Sequence, residues 1–246
     1  GSGLRQLTSG DADDLPLWSA DGSTLVVVRA RYSETDSRWT VITMRSDGSS
    51  RNRSRPRVLG SMQGPDISPD GTRLVYADMD LENTGQPGPY ASAIRVLDLR
   101  TGARARLTGY GTWNSAPSWS PDGTMIAFES SRDGDAEIFV MSADGSVLEQ
   151  ITHNELNDSS PEWSPDGSRL IFQTTYPNES GGDDRSAIAK VGAAGGDVVV
   201  LTAGPRFDGR PVWSPDGVWI AFRRTDASGG VQVPTRPLAL EEHPAR

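Results

Sequence analysis

The sequence predicts an all-β fold, a β-propeller of five four-stranded antiparallel blades. The first observation is a phrase of the type Pro-x-Trp-Ser-Pro-Asp-Gly, which occurs five times, with small variations, along the 246 residues. The second is the 44 to 52 residue spacing between copies, which is typical of propeller or solenoid arrays. The third is the alternation of short apolar runs with Gly, Pro and Asp turn signals. The copies occupy residues 16–22, 65–71, 117–123, 161–167 and 211–217.

The third repeat illustrates how one copy supplies a blade. Its Ser-Pro-Asp-Gly segment places Pro and Gly where a type I turn followed by a glycine bulge requires them. Two further turns are predicted at residues 132–135 and 143–145. The strands are expected at residues 117–120, 125–129, 137–141 and 148–152. Four short antiparallel strands in each repeat make one propeller blade.

The repeat boundaries predict a single domain at residues 4–240, with residues 1–3 left by an expression vector and residues 241–246 forming a tail. The fifth repeat ends near its third strand, whereas Leu4 to Thr8 resembles a fourth strand without a blade of its own. We therefore expect this N-terminal strand to pair into the last blade, because closure removes free sheet edges. The blades are expected at about residues 16–59, 65–108, 117–152, 161–202 and 211–238 plus 4–8.

Composition narrows the function classes. The net charge of −9 argues against nucleic acid as a partner, because such binding needs a basic surface. No apolar run approaches the roughly 20 residues of a membrane span, so we expect no direct membrane insertion. There is no Cys, which excludes disulfides. From the sequence we expect the chain to bind no cofactor and no metal, and to be a monomer.

The repeat resembles the TolB-type β-propeller repeat, which is a WD-like repeat. The resemblance is carried by the recurring phrase, by Ile-Ala-Phe at 126–128, by Arg-Asp-Gly at 132–134, and by the run at 138–145. It covers nearly the whole chain, although Ala20 replaces Pro in the first copy and Ile67 replaces Trp in the second. The resemblance implies a propeller that serves as a binding module and lies outside the cytoplasm, in the periplasm or at the cell surface. A native signal or anchor is then expected outside this sequence.

Catalysis is not expected from this chain. It contains two histidines, His153 and His243, which do not form a metal-binding pair. No Gly-x-Ser-x-Gly, Walker or dinucleotide motif occurs. The sequence therefore favours a non-catalytic ligand- or protein-binding module, the sensor or adaptor part of a larger exported or membrane-anchored bacterial protein. The alternative is the substrate-gating propeller of a prolyl oligopeptidase-type hydrolase whose catalytic domain lies elsewhere.

The candidate site is predicted on the face that carries the variable loops. Loops between second and third strands, and between blades, vary in length, and binding usually resides on such loops. Three residues before the repeat proline, four repeats carry an acid or an amide that could form a partial carboxylate ring at the channel mouth. These residues are Asp13, Asn114, Asp158 and Asp208. The alternative is that each side chain hydrogen-bonds loop backbone.

Aromatic residues and one arginine complete the predicted site. Trp113 and Phe207 precede the repeat proline by four residues, Tyr90 and Tyr176 fall in or beside the same loops, and Arg210 directly precedes Pro211. Exposed aromatics suit contacts with a protein, peptide or glycan. They could equally pack the loops onto the blades. The motif residues Trp18, Trp119, Trp163 and Trp213 are instead expected to pack between blades.

Overall fold

The computed structural model describes ten segments of the chain. They are residues 6–8, 13–32, 37–50, 52–53, 58–59, 61–79, 91–176, 185–202, 207–225 and 230–237. Every regular element in these segments is a β-strand. Among the same residues, no helix has the length and hydropathy needed to cross a bilayer.

The strands fall into five consecutive units, one for each copy of the repeat. The first unit contains β1 (Asp13–Trp18), β2 (Thr24–Tyr32), β3 (Ser37–Arg45), β4 (Asn52–Arg53) and β5 (Val58–Leu59). The second contains β6 (Ser61–Ile67), β7 (Arg73–Met79), β8 (Ala93–Asp98) and β9 (Arg104–Arg106). The third contains β10 (Asn114–Trp119), β11 (Met125–Ser130), β12 (Glu137–Ser142) and β13 (Leu148–Gln150). The fourth contains β14 (Asn157–Trp163), β15 (Arg169–Tyr176), β16 (Arg185–Gly192) and β17 (Val199–Val200). The fifth contains β18 (Phe207–Trp213), β19 (Trp219–Thr225), β20 (Val231–Gln232) and β21 (Thr235–Pro237).

Within a unit, neighbouring strands are antiparallel and follow chain order, as predicted for a blade. The first unit differs because β4 and β5 both pair with β3. In the fifth unit, β20 and β21 both pair with β19, so its third strand is interrupted. A single parallel bridge between Ser186 and Phe207 joins the fourth and fifth units.

The turn after each innermost strand follows the predicted chemistry. In the third unit, the Gly123 amide donates to the Ser120 carbonyl at 2.9 Å, and Gly123 has a φ of +70°. The Ser120 hydroxyl donates to Asp122 at 2.5 Å and accepts the Met125 amide at 2.9 Å. Because a left-handed φ costs glycine little, the Gly at this position allows the turn to reverse the chain between two strands.

Four of the five hydrophobic clusters among the described residues lie between neighbouring units. Trp119 of the third unit packs with Val75 and Ile94 of the second. Trp163 of the fourth unit packs in the same way with Ile138 and Val140 of the third. Side chains alternate across a strand, so each sheet buries apolar residues on both faces, as stacked propeller blades require.

The first unit departs from this packing on the face of its sheet that carries Trp18. Trp18 is 52% exposed, whereas Trp119 and Trp163 are 5% and 8% exposed. The prediction that Trp18 packs between blades is therefore wrong. Leu7 packs against a cluster from β2 and β3 that includes Leu25 and Met44. Gln6 to Thr8 carry no strand assignment, and Leu4 and Arg5 lie outside the described residues, so closure by this segment and the blade count stay predictions.

Candidate functional site

The innermost strand of every unit contains a bulge at the repeat proline. Pairing with the second strand shifts there, for example between Ser115 and Ser118 in the third unit. The residue before each proline has a φ of +46° to +55°. These residues are Leu15, Gly64, Ala116, Ser160 and Arg210. Proline within an inner strand is a known signal for a bulge, so the sequence contained this information.

The predicted carboxylate ring is turned into the protein. Asn114, Asp158 and Asp208 lie at or near the starts of their inner strands, and are 0%, 0% and 3% exposed. Asp13 lies in β1, and its side chain is not among those described. The second unit has Met62 at this position, also buried. A ligand-binding role for the ring therefore stays a prediction, and the three described side chains have three different sets of partners.

Asn114 is held by backbone and side-chain groups of two adjacent units. Its Nδ2 donates to the carbonyls of Ser92 at 2.6 Å and Thr112 at 3.1 Å. Its Oδ1 accepts from the Ser130 hydroxyl at 2.9 Å and from Arg132 Nη2 at 3.2 Å. The amide thus uses both its ends, which matches the alternative in which the residue fastens loop backbone.

Asp208 forms a bidentate ion pair. Both its carboxylate oxygens accept from Arg224, at 2.6 Å to Nε and 2.6 Å to Nη2. The second unit has a related pair, in which Arg95 Nε lies 2.6 Å from Asp78 Oδ2. A paired guanidinium offsets the cost of burying a carboxylate, so these two units are electrostatically balanced at the loop end.

The junction between the third and fourth units brings two buried acids together. Glu137 and Asp158 are 1% and 0% exposed, and Asn154 links them. The Asn154 amide donates to Glu137 Oε1 at 2.7 Å, and its Nδ2 donates to Asp158 Oδ2 at 2.7 Å. The Thr152 hydroxyl also donates to Glu137. Neither acid forms an ion pair with any described Lys, Arg or His.

Burial is the main cause that raises the pKa of both acids. The negative charge of Asp158 further raises the pKa of Glu137. Register shows that Glu137 replaces an alanine of the neighbouring units, namely Ala93 and Ala187. Within the described ranges, no group of three or more acidic or histidine side chains has the arrangement of a metal site. The pair can take up a proton or attract a cationic group.

The predicted aromatic residues that are described lie at the loop end. Trp113 precedes β10 and is half-buried, Tyr176 ends β15 and is half-buried, and Phe207 begins β18 and is 41% exposed. Burial and the charge of Asp158 raise the pKa of Tyr176, so its phenol lies near the acid pair. Arg210 is exposed, and Tyr90 lies outside the described residues.

Two further acids, both half-buried, were not among the predicted site residues. Asp66 accepts the Trp119 amide at 2.7 Å, and burial raises its pKa to about 6. Burial and the charge of Asp66 raise the pKa of Glu162 to about 7. Both occupy the variable position of the Pro-x-Trp phrase, where the third unit has Ser118. An acid at an otherwise apolar or small position was the available sequence signal.

Part of this chain is similar in sequence to part of several longer proteins. The chain is 32% identical over 96 residues to an uncharacterized peptidase, YuxL, from Bacillus subtilis, which is 39% of this chain and 14% of the relative. It is 37% identical over 73 residues to the Tol-Pal system protein TolB from Alcanivorax borkumensis, which is 30% of this chain and 15% of the relative. The matched segments thus span less than a sixth of either relative.

Solved structures support the fold over nearly the whole chain. A TolB protein from Agrobacterium tumefaciens superposes with a TM-score of 0.70 at 24% identity, covering 92% of this chain and 77% of the other. A puromycin hydrolase superposes with a TM-score of 0.69 at 13% identity, covering 92% of this chain and 36% of the other. At these identities the likeness establishes the fold alone, which is an all-β propeller.

The family assignment rests on the sequence. The TolB beta propeller domain, PD40, matches residues 26–239, which include all five units in whole or in part. This match agrees with the resemblance predicted from the repeated phrase, and the antiparallel sheets of the structure are consistent with both. The chain belongs to the TolB β-propeller domain family.

Proposed function

We propose that this chain is a non-catalytic binding module that holds a protein or a small ligand, such as a peptide or glycan, on its variable-loop face. The observation that carries the proposal is that Trp113, Tyr176 and Phe207 lie at the same end of their sheets as the unpaired acids Glu137 and Asp158. Aromatic side chains bury large areas at little entropic cost and are enriched at binding surfaces. The opposite end of each sheet carries the short, standard turns.

The acid pair gives the proposed surface a preference for cationic groups. Asp158 lies close enough to Tyr176 to raise the pKa of its phenol, and neither Glu137 nor Asp158 forms an ion pair with a described Lys, Arg or His. A lysine, arginine or amine approaching this end would supply the missing charge, and the net charge of −9 would attract it at long range. A basic peptide segment of a partner protein therefore fits this surface best.

The relatives support a role in protein contacts. One is a Tol-Pal system protein by name, and the family to which this chain belongs carries the TolB name. We therefore place the module outside the cytoplasm, in the periplasm or at the cell surface, acting as the sensor or adaptor part of a larger protein. The module itself is proposed to be monomeric and to need no cofactor.

Site-specific photocrosslinking tests the proposed face. Benzoylphenylalanine is placed at Phe207, which is 41% exposed at the loop end, and in a matched protein at Val218, which is 48% exposed at the turn end. Both proteins are expressed in the source bacterium and irradiated. A discrete adduct from position 207 and none from position 218 is the expected result. Adducts from position 218 alone would move the binding face to the turns.

A thermal-shift series tests the preference for cations. Oligolysine should raise the unfolding midpoint saturably, since a ligand that binds only the folded state stabilises it by mass action. The shift should shrink in Asp158→Asn and persist in Asp122→Asn, which removes an exposed acid of a turn. Equal shifts in both variants would mean that net charge alone attracts the peptide.

The alternative proposal is a substrate-gating propeller beside a hydrolase domain. It is favoured by the 32% identity to the peptidase YuxL. A fluorophosphonate probe, which labels activated serines, should then label the natural polypeptide that carries this chain. No labelling of that polypeptide, with a known serine hydrolase labelled in the same extract, would reject the alternative.

A further inference from the structure

A groove between the second and third units contains an arginine that forms no ion pair with any acid of the described segments. The groove has a volume of about 310 Å³. Its polar wall is the segment from Thr108 to Thr112 that connects the two units, and Arg132 lies against it. Leu107, Met141 and Leu148 supply an apolar wall. A volume of this size suits a small molecule or the end of a peptide.

The Arg132 guanidinium is fixed in place. It lies 4.4 Å from the ring centre of Phe139 and 5.5 Å from that of Phe128. Its Nε donates to the Ser130 hydroxyl at 3.1 Å, and its Nη2 donates to Asn114 Oδ1 at 3.2 Å. Asp133, the next residue, accepts the Gln150 amide instead. All hydrogen bonds of Arg132 within the described residues therefore go to neutral oxygens.

Arginines near the loop ends of two other units have acidic partners, although they do not occupy the position of Arg132 in the strand register. Arg224 holds Asp208 in the fifth unit, and Arg95 lies against Asp78 in the second. In the third unit, Asn114 stands where the fifth unit has Asp208. Partial burial lowers the pKa of Arg132, and the nearby charge of Asp133, which forms no ion pair with it among the described residues, opposes this shift only in part.

Hydrogen-bond donors remain free to bind an anion in the groove. A guanidinium carries five N–H donors, and its two bonds to Ser130 and Asn114 leave three unused within the described residues. The hydroxyl oxygens of Thr108 and Thr112 already accept N–H groups, at 2.9 Å from Ile94 and 3.4 Å from Asn114. Each of these hydroxyls therefore keeps its hydrogen to donate.

We propose that this groove binds a single carboxylate attached to an apolar group, with Arg132 pairing the carboxylate and the apolar wall packing the rest. One arginine balances one negative charge, and Arg132 is the one basic residue among the described residues that line the groove, so a phosphate dianion would stay under-neutralised. The carboxylate could be the C-terminus of a peptide or that of a free acid. The groove is lined in part by loops of the same end as the proposed binding face, but it uses Arg132 rather than the acid pair, so the two proposals can fail independently.

Methionine-methyl NMR provides a direct test with small probes. Met141 lines the groove, whereas Met62 lies in the core between the first two units and serves as an internal control. N-acetyl-leucine and hexanoate are titrated into the protein, with N-acetyl-leucinamide and inorganic phosphate as comparisons. We expect a saturable shift of the Met141 signal with one or both carboxylates, and none with the amide or with phosphate. The two carboxylates separate a peptide terminus from a free acid.

Two variants test the groove independently. Arg132→Gln removes the charge, and we expect at least tenfold weaker carboxylate binding. Because Arg132 also packs on two aromatic rings, Gly111→Leu provides a second variant that fills the groove. A Cβ at Gly111 would meet no atom within 4 Å, so this variant should fold normally and lose binding. Arg104→Gln, which removes an exposed charge of the second unit, should bind as the parent does.

Three results would overturn the proposal. The first is the absence of a Met141 shift with either carboxylate. The second is an equal shift with N-acetyl-leucinamide, which would mean that apolar contact alone causes it. The third is undiminished binding in Gly111→Leu, which would place the probe elsewhere.

Discussion

The two ends of the sheets differ in how far the five units resemble one another. One end carries the Ser-Pro-Asp-Gly turns and the other carries the variable loops. At the turn end, the serine of every phrase donates to its aspartate at 2.5 to 2.6 Å, and the same bonds recur in all five units. At the loop end, the equivalent positions hold an amide network, an ion pair and an unbalanced acid pair. The turn end therefore defines the scaffold, while the loop end can change its chemistry without changing the fold.

The electrostatic contrast between the two ends follows from solvent access. Turn aspartates such as Asp144 and Asp166 accept several hydrogen bonds in water, which lower their pKa values to about 2. Glu137 and Asp158 at the loop end are desolvated, so their pKa values rise. The turn aspartates therefore stabilise the fold in their charged form, whereas burial favours the neutral, protonated form of Glu137 and Asp158.

The largest expected effect separates the paired acid from the unpaired one. Asp208→Asn leaves the partly buried Arg224 without its anion, and should lower the free energy of unfolding by about 2 to 3 kcal/mol. Asp158→Asn at the equivalent position removes a desolvated charge that has no cation, so it should change stability by less than about 1 kcal/mol. Urea unfolding near neutral pH measures both. Equal losses in the two variants would break the distinction between balanced and unbalanced units.

A second variant asks why the third unit has an amide rather than an acid. Asn114→Asp would bring a carboxylate to Arg132, as in the fifth unit, and charge pairing alone predicts a gain. However, the Asn114 Nδ2 donates to the carbonyls of Ser92 and Thr112, and a carboxylate oxygen there would be repelled. We expect a loss of about 2 kcal/mol in urea unfolding. A gain in stability would show that an ion pair with Arg132 stabilises this unit more than the hydrogen bonds that the Asn114 amide donates.

The acid pair should also change how stability depends on pH. Because the folded-state pKa values of Glu137 and Asp158 are raised, the folded protein keeps protons that the unfolded chain releases above about pH 4. Stability should therefore fall as pH rises from about 4 through the folded pKa values. Replacing both acids, in Glu137→Gln with Asp158→Asn, should reduce this fall, and the part that remains is expected from Asp66 and Glu162, whose pKa values are about 6 and about 7. Urea midpoints from about pH 5 to about pH 8 test it, in a range above that in which the turn aspartates titrate.

The turn end could be predicted from sequence, since its bonds join residues no more than five positions apart. The strand expected at 125–129 is observed at Met125–Ser130, and the Ser120 to Gly123 turn has the predicted form. The loop end could be located but not described. Its partners, such as Asp208 with Arg224, depend on strand register and on a bulge that shifts it. Glu137 meets Asp158 across two units, which no local pattern indicates.

The smallest expected effect lies at the turn end. Ala20 is the one departure from proline at the second turn position, and Ala20→Pro should stabilise the protein by about 0.5 to 1 kcal/mol by restricting the unfolded chain. The structure supports compatibility, because Pro121 at the same position lies beside Gly167 of the next unit, 3.4 Å from where its Cβ would be. Gly71 is the corresponding neighbour of the first turn.

The matched control for this substitution is its reverse in a neighbouring unit. Pro121→Ala should cost about as much as Ala20→Pro gains, because both change one turn residue with the same backbone geometry. Thermal unfolding of the two single variants and of the double variant measures the pair, and the double variant should return to the parent midpoint since the sites are far apart. If Ala20→Pro destabilised the chain while Pro121→Ala did so as well, the first turn would differ in backbone from the others. The turns would then not be uniform, and the exception would be the first unit, which also differs from the others in the exposure of its Trp18.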